Sequence, residues 1–76
     1  MRELLAALAH QQWSGWMHYM FGKSQHNSDG TVTLPVNLVS RWKRQMNTAY
    51  HDLPEHEKQS DRDEADRMIA TLEKAE

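Results

Sequence analysis

A single proline divides the second half of this 76-residue sequence. The chain passes from a basic segment, Arg41-Trp42-Lys43-Arg44-Gln45-Met46, through Tyr50 to Asp52-Leu53-Pro54-Glu55, and continues as a highly charged tract. Pro54 has no amide hydrogen and a fixed φ, so it breaks the interior of a helix but suits the first turn of a new one. Two helices therefore meet at this point. Asp52 and Glu55 stand at capping-box spacing, in which Asp52 accepts an amide and Glu55 reaches back. The third helix is expected over residues 54–74. Its first half is almost wholly polar and needs charge pairs to hold it. Its second half offers Ala65, Met68, Ile69 and Leu72 as an apolar face.

Upstream, Val39, Trp42, Met46 and Ala49 recur at steps of three, four and three, which predicts a helix over 36–48. Asn47-Thr48 supplies its stop and Pro35 its start. Residues 2–21 form the first predicted helix, with Leu5, Ala9, Trp13, Trp16 and Met20 on one stripe, widened by Leu4, Leu8 and Met17. Gly15 lies inside that stripe, where it either admits a second backbone or is simply tolerated. Gly22 suits a left-handed helix end. Asn27-Ser28-Asp29-Gly30 reads as a turn. Thr31-Val32-Thr33-Leu34 alternates polar and apolar, as a short extended segment would, but no second convincing strand accompanies it. The expected fold is mainly α: one small three-helix domain over 1–76 with an irregular loop.

Size narrows the options. A chain this short buries only about 60% of its extended surface, so stability needs a supplement. With no cysteine there is neither a disulfide framework nor a thiolate metal site. Three Trp, five Met and self-association remain as supplements. The run Met1-Arg2-Glu3-Leu4-Leu5-Ala6-Ala7-Leu8 reads as a helix and not as a signal peptide. No apolar run approaches the ~20 residues of a membrane span, and the expected compartment is the cytoplasm.

Charge is unevenly spread. Residues 1–50 carry a net +3 and residues 51–76 a net −5. That asymmetry favours an internal electrostatic match or self-association over duplex DNA, whose binders carry a domain-wide basic excess.

Two readings compete for the aromatic set Trp13, Trp16, Trp42 and Tyr50. In the first, the rings form most of the core. In the second they are a stacking platform for a planar group, with Arg41, Lys43 or Arg44 holding a phosphate. Lys58, Asp61 and Arg62 read as a solvated charge lattice, or else Asp61 or Arg62 turns inward to bond the Tyr50 hydroxyl or a free carbonyl of the turn. The five histidines, His10, His18, His26, His51 and His56, include no pair spaced to chelate along a helix, so no metal or other cofactor is expected. No serine stands in a nucleophile-elbow context, and no enzyme activity is expected.

Two blocks resemble a known family. Leu8-Ala9-His10 with Trp13 looks like the opening of the ryanodine-receptor (RyR) repeat domain. Tyr50-His51-Asp52-Leu53-Pro54-Glu55, followed by Glu57-Lys58, Asp61-Arg62 and Ala65, resembles its second block. Small bacteriophage and bacterial proteins of this look exist as stand-alone chains. The Gly-Trp-x-Tyr-Gly element of the receptor repeats is missing here. The resemblance implies a small helical module without catalytic activity, with a nucleotide-type ligand as one implied partner.

The functional expectation is thus a non-catalytic binding module. Its ligand-binding residues would be Trp13, Arg41, Trp42, Arg44, Tyr50, Lys58 and Arg62, and its ligand a nucleotide-type molecule. The alternative is a protein-interaction module, either self-associating or docking on a host protein, suggested by Trp and Met in excess of what so short a monomer hides.

Overall fold

In a computed structural model, which describes residues 1–75, the chain forms three helices and one small hairpin. Their order is α1 (Arg2–Lys23), β1 (Gln25–His26), β2 (Val32–Thr33), α2 (Val36–Met46), a 3₁₀ turn (Tyr50–Asp52) and α3 (Glu55–Lys74). This is the mainly α, three-helix fold that the periodicity predicts. The helices lie in a thin, elongated arrangement of 48 × 33 × 16 Å.

The hairpin corrects the reading of 31–34 as an unpartnered extended segment. Val32–Thr33 pairs antiparallel with Gln25–His26, in register Gln25 to Thr33 and His26 to Val32. Gln25–His26 carries no apolar residue, so periodicity had nothing to detect in that half. The turn between them is closed by polar side chains. Asn27 Nδ2 donates to Thr31 Oγ1 at 2.9 Å and to Thr33 Oγ1 at 3.0 Å. Asp29 Oδ1 accepts from the Thr31 hydroxyl and amide, which holds the Asp29 carboxyl below its ordinary value. Gly30 has φ 89°, the positive region that favours glycine.

Gly22 does not end α1, which runs on to Lys23. The turn-making glycine is Gly30 instead. Ser24, extended, caps α1 with its amide on the Phe21 carbonyl, and its hydroxyl donates to the Met20 carbonyl at 2.7 Å. At the other end of the molecule, α2 stops as expected. Asn47 Nδ2 and Thr48 Oγ1 bond back to the Lys43 and Arg44 carbonyls, taking up acceptors the helix leaves open. Pro54 precedes α3, but the Asp52–Glu55 capping box does not form. The N-terminus of α3 has no side-chain cap, and the Glu55 carboxylate turns to Lys58 and Arg62. Those cations lie on the same helix face one and two turns on, and outcompete a neutral amide for the carboxylate.

The core is small and differs from the predicted stripes. The buried apolar residues are Leu8 and Leu38, each 8% exposed. The Leu5–Ala9–Trp13–Trp16–Met20 stripe does not face inward as a unit. Trp13 is 58% exposed, and the inner face runs through Leu8, Gln12 and Gly15. Nearly every side of α1 is apolar, so periodicity could not select the buried one. On α2, Met46 is exposed and Leu38 takes the inner place. Met68, Ile69 and Leu72 of α3 also remain exposed. Gly15 does not admit a neighbouring backbone: a Cβ built there meets nothing within 4 Å.

Candidate functional site

An open groove of about 910 Å³ lies between the three helices. α1 contributes Gln11, Gln12, Gly15, Trp16 and Tyr19 to it, and α2 contributes Arg41, Trp42, Gln45 and Met46. The facing wall is α3, with His56, Glu57, Ser60, Asp61, Glu64, Arg67 and Met68. These positions fall on one side of each helix because their spacings of three and four match the helical repeat. Gly15 lines the groove without a side chain.

One corner of the groove is aromatic. Trp16 meets Trp42 edge-on with centroids 5.3 Å apart, and stacks on Tyr19 at 5.5 Å. Tyr19 also meets Trp42 edge-on at 6.4 Å. Both geometries are favoured by the ring quadrupoles. Arg41 Nη2 donates to the Tyr19 hydroxyl at 2.7 Å, which pins the guanidinium at the rim of this cluster. Across the groove, Gln12 Nε2 donates to the Glu64 main-chain carbonyl at 3.3 Å, tying α1 to α3. The Glu64 Oε2 atom is buried without a hydrogen-bond partner.

At the α2–α3 junction an exposed arginine meets a buried carboxylate. Arg44 Nη2 and Nη1 reach the two Glu57 carboxylate oxygens at 2.6 and 3.2 Å, a bidentate pair. Glu57 is only 9% exposed. The Arg44 hydrogen bond holds the Glu57 carboxyl below its usual range, and the same bond raises the Arg44 value. An inward ionic bond at the start of α3 was expected, but from Asp61 or Arg62. Arg62 is exposed and the enclosed charge is Glu57. The cause is the helical step: Glu57 stands one turn before Asp61 and lies nearer the end of α2, where the basic segment finishes.

Beside this junction Tyr50, Glu55, Lys58 and Arg62 form a second cluster, in which the Lys58 side chain is mostly covered and the others are exposed. Lys58 Nζ lies 5.8 Å from the Tyr50 ring centroid and 3.4 Å from Glu55 Oε1. Arg62 Nη1 is 3.2 Å from Glu55 Oε2. The Tyr50 hydroxyl and then Glu55 hold the Arg62 proton more tightly than in a free arginine, and Arg62 in turn lowers the Glu55 carboxyl.

The seven sequence-derived ligand residues therefore do not make one site. Arg41 and Trp42 share the groove. Arg44 is committed to Glu57. Tyr50, Lys58 and Arg62 gather around Glu55, and Trp13 lies on the other side of α1, stacked on His10 at 6.0 Å. Nor do the rings form a sealed core, since Trp13, Trp16, Tyr19 and Tyr50 are all exposed. The sequence reading missed Tyr19, Gln12 and Glu64 as groove residues. Only their spacing from Trp16 and from Glu57 could have placed them there. Among the described residues no three His, Asp or Glu side chains gather as a metal site would require, and no helix is long and apolar enough to cross a membrane. Compared with protein-family models, curated proteins and solved structures, the chain matches none.

Proposed function

We propose that this chain is a non-catalytic protein-interaction module whose groove between α1, α2 and α3 seats an amphipathic segment of a protein partner. The observation that carries this reading is the make-up of the groove. An aromatic corner of Trp16, Tyr19 and Trp42 sits beside Arg41, while the opposite wall presents Asp61 and Glu64. A segment with an apolar face and charges of both signs meets all three, and Trp, Tyr and Arg are the residues that most often dominate protein interfaces.

A nucleotide-type ligand is the second reading. Arg41 beside Trp16 and Trp42 favours it, as a phosphate holder beside stacking faces. The acidic α3 wall opposes a polyanion, and Arg44 is already neutralised by Glu57. The protein reading is therefore preferred.

The two are separated by panning a helical-peptide library on the folded chain, with counter-selection on Gly15→Leu. That substitution places a side chain on the groove lining where a Cβ meets no neighbour within 4 Å. We expect enriched peptides that combine aromatic or aliphatic residues with at least one cation and bind only the open groove. Absence of any Gly15-sensitive peptide, together with shifts of the Trp16 and Trp42 indole N–H resonances by adenine nucleotides, transfers the site to the nucleotide reading.

A further inference from the structure

The groove uses one side of α1, and along the other side runs a recess that, among the described residues, α1 alone lines. Residues 4–22 contain no Asp, Glu, Lys or Arg. Apolar residues surround the helix: Leu8 and Trp16 on the inner side, Trp13, Met17 and Phe21 on the outer. Large apolar side chains on a helix face favour burial, yet Trp13 and Phe21 are 58% and 45% exposed. The shallow recess along this outer side, lined by Trp13, Ser14, Met17, His18 and Phe21, is built from α1 alone.

The surface area gives the size of what is missing. The chain exposes 6117 Å². A compact monomer of 8.9 kDa exposes about 4,800 Å², so the excess is about 1,300 Å². A stable protein–protein interface takes about 800 Å² from each partner. The Cα radius of gyration of 15.5 Å, against about 11 Å for a compact chain of this length, points the same way. The area left open is thus what a dimer interface needs, with some remaining for the groove.

We infer that the outer face of α1 seats the same face of a second copy of this chain, in antiparallel, two-fold symmetric pairing centred on Trp13. The sequence of that face is self-complementary. Ala6, Ala9, Trp13, Met17 and Met20 follow one another at steps of three, four, four and three along the outer stripe. Reversal about Trp13 sets Ala6 against Met20 and Ala9 against Met17 of the second copy. Small residues at one end of the helix thereby receive large ones from the other, as a two-fold interface requires. No charged side chain is buried, because the stretch contains none. Trp, Phe and Met, all enriched in interface cores, provide the contact. The inference uses neither the groove nor its occupant.

Sedimentation of the wild-type chain at micromolar concentrations is expected to show a dimer. Trp13→Glu is expected to raise the dissociation constant by about a hundredfold or more, since a charge then replaces a central aromatic anchor. The helical circular dichroism of the variant should persist, because Trp13 contributes little to the monomer's own core. The pairing itself is tested without disrupting the face. The natural sequence has no cysteine, so a chain carrying Ala9→Cys mixed with one carrying Met17→Cys is expected to form an intermolecular disulfide on mild oxidation. A Lys43→Cys chain, altered on α2, should not cross-link to either. A monomer at 100-fold above micromolar concentration overturns the inference. So does a dimer that keeps its affinity in Trp13→Glu and forms no Ala9→Cys to Met17→Cys disulfide. Peptide capture by the groove is read separately, and Trp13→Glu should leave it unchanged.

Discussion

The corner where α2 meets α3 and the long helix α1 are held by opposite means. At the corner, directional bonds link residues close in sequence: Arg44 to Glu57, Glu55 to Lys58 and Arg62, and the backbone of the 3₁₀ turn. α1 is instead placed by apolar burial at Leu8, by aromatic edges at Trp16 and Tyr19, and by two side-chain bonds, Gln12 to Glu64 and Tyr19 to Arg41. Directional bonds saturate: the bidentate Arg44 pair, with Gln45 and His56 beside it, supplies the Glu57 carboxylate with its partners. Apolar surface does not saturate, and what α1 leaves uncovered continues to favour further burial. The corner is therefore the self-sufficient part of the molecule, and α1 the part that calls for partners.

Leu8→Ala should break the comparison most severely. Truncating a buried Leu costs about 2–5 kcal/mol, and in a domain of this size each kcal/mol lowers Tm by about 4–8 °C. We expect a fall of about 10 °C or more in the dichroism melt, with α1 lost first in hydrogen exchange. A small shift at Leu8 would mean that α1 is not docked by burial.

Glu57→Gln is expected to come next, and it carries a pH signature. The folded-state Glu57 carboxyl lies below its ordinary value of 4.5. Its contribution is thus fully present above about pH 4.5 and is lost as pH falls through the depressed value. Wild-type Tm should drop on acidification below that point, and Glu57→Gln should start lower and show a shallower drop. Glu55 and Asp29 are depressed too, so part of the acid slope will remain in the variant. An unchanged slope would remove the Arg44–Glu57 ion pair from the account of the corner.

Smaller effects sharpen the contrast. Gln12→Ala removes one of the two directional ties of α1 and should cost about 0.5–1.5 kcal/mol, with faster exchange in α1 and no change at the corner. Arg62→Ala removes an exposed pair whose energy is offset by side-chain entropy and screened by water. Its melt should overlay that of the wild type, and a loss comparable to Glu57→Gln would place the ionic anchor at Arg62 instead.

How far these features were legible varied with the signal. Pro54, Asn47-Thr48 and the turn at 27–30 act locally, and the chain breaks fell where they stand. The start of α3 was located, but its capping box failed because Glu55 found cations on its own helix. The opposite net charges of the two halves announced an internal match. They could not choose Glu57 over Arg62, because that choice depends on which side of α3 meets the end of α2. The hairpin strand Gln25–His26 left no trace, being two polar residues paired by backbone alone.

The sequence by itself determined the number and extent of the helices, because caps, prolines and 3.6-residue periodicity act within a few residues of one another. Only the tertiary arrangement decided which side of α1 faces inward. Where apolar residues surround a helix, every rotation about its axis satisfies periodicity equally, and the choice falls to how its neighbours pack. That packing set Trp16 and Trp42 at the mouth of a groove and left Trp13 on the far side, facing water.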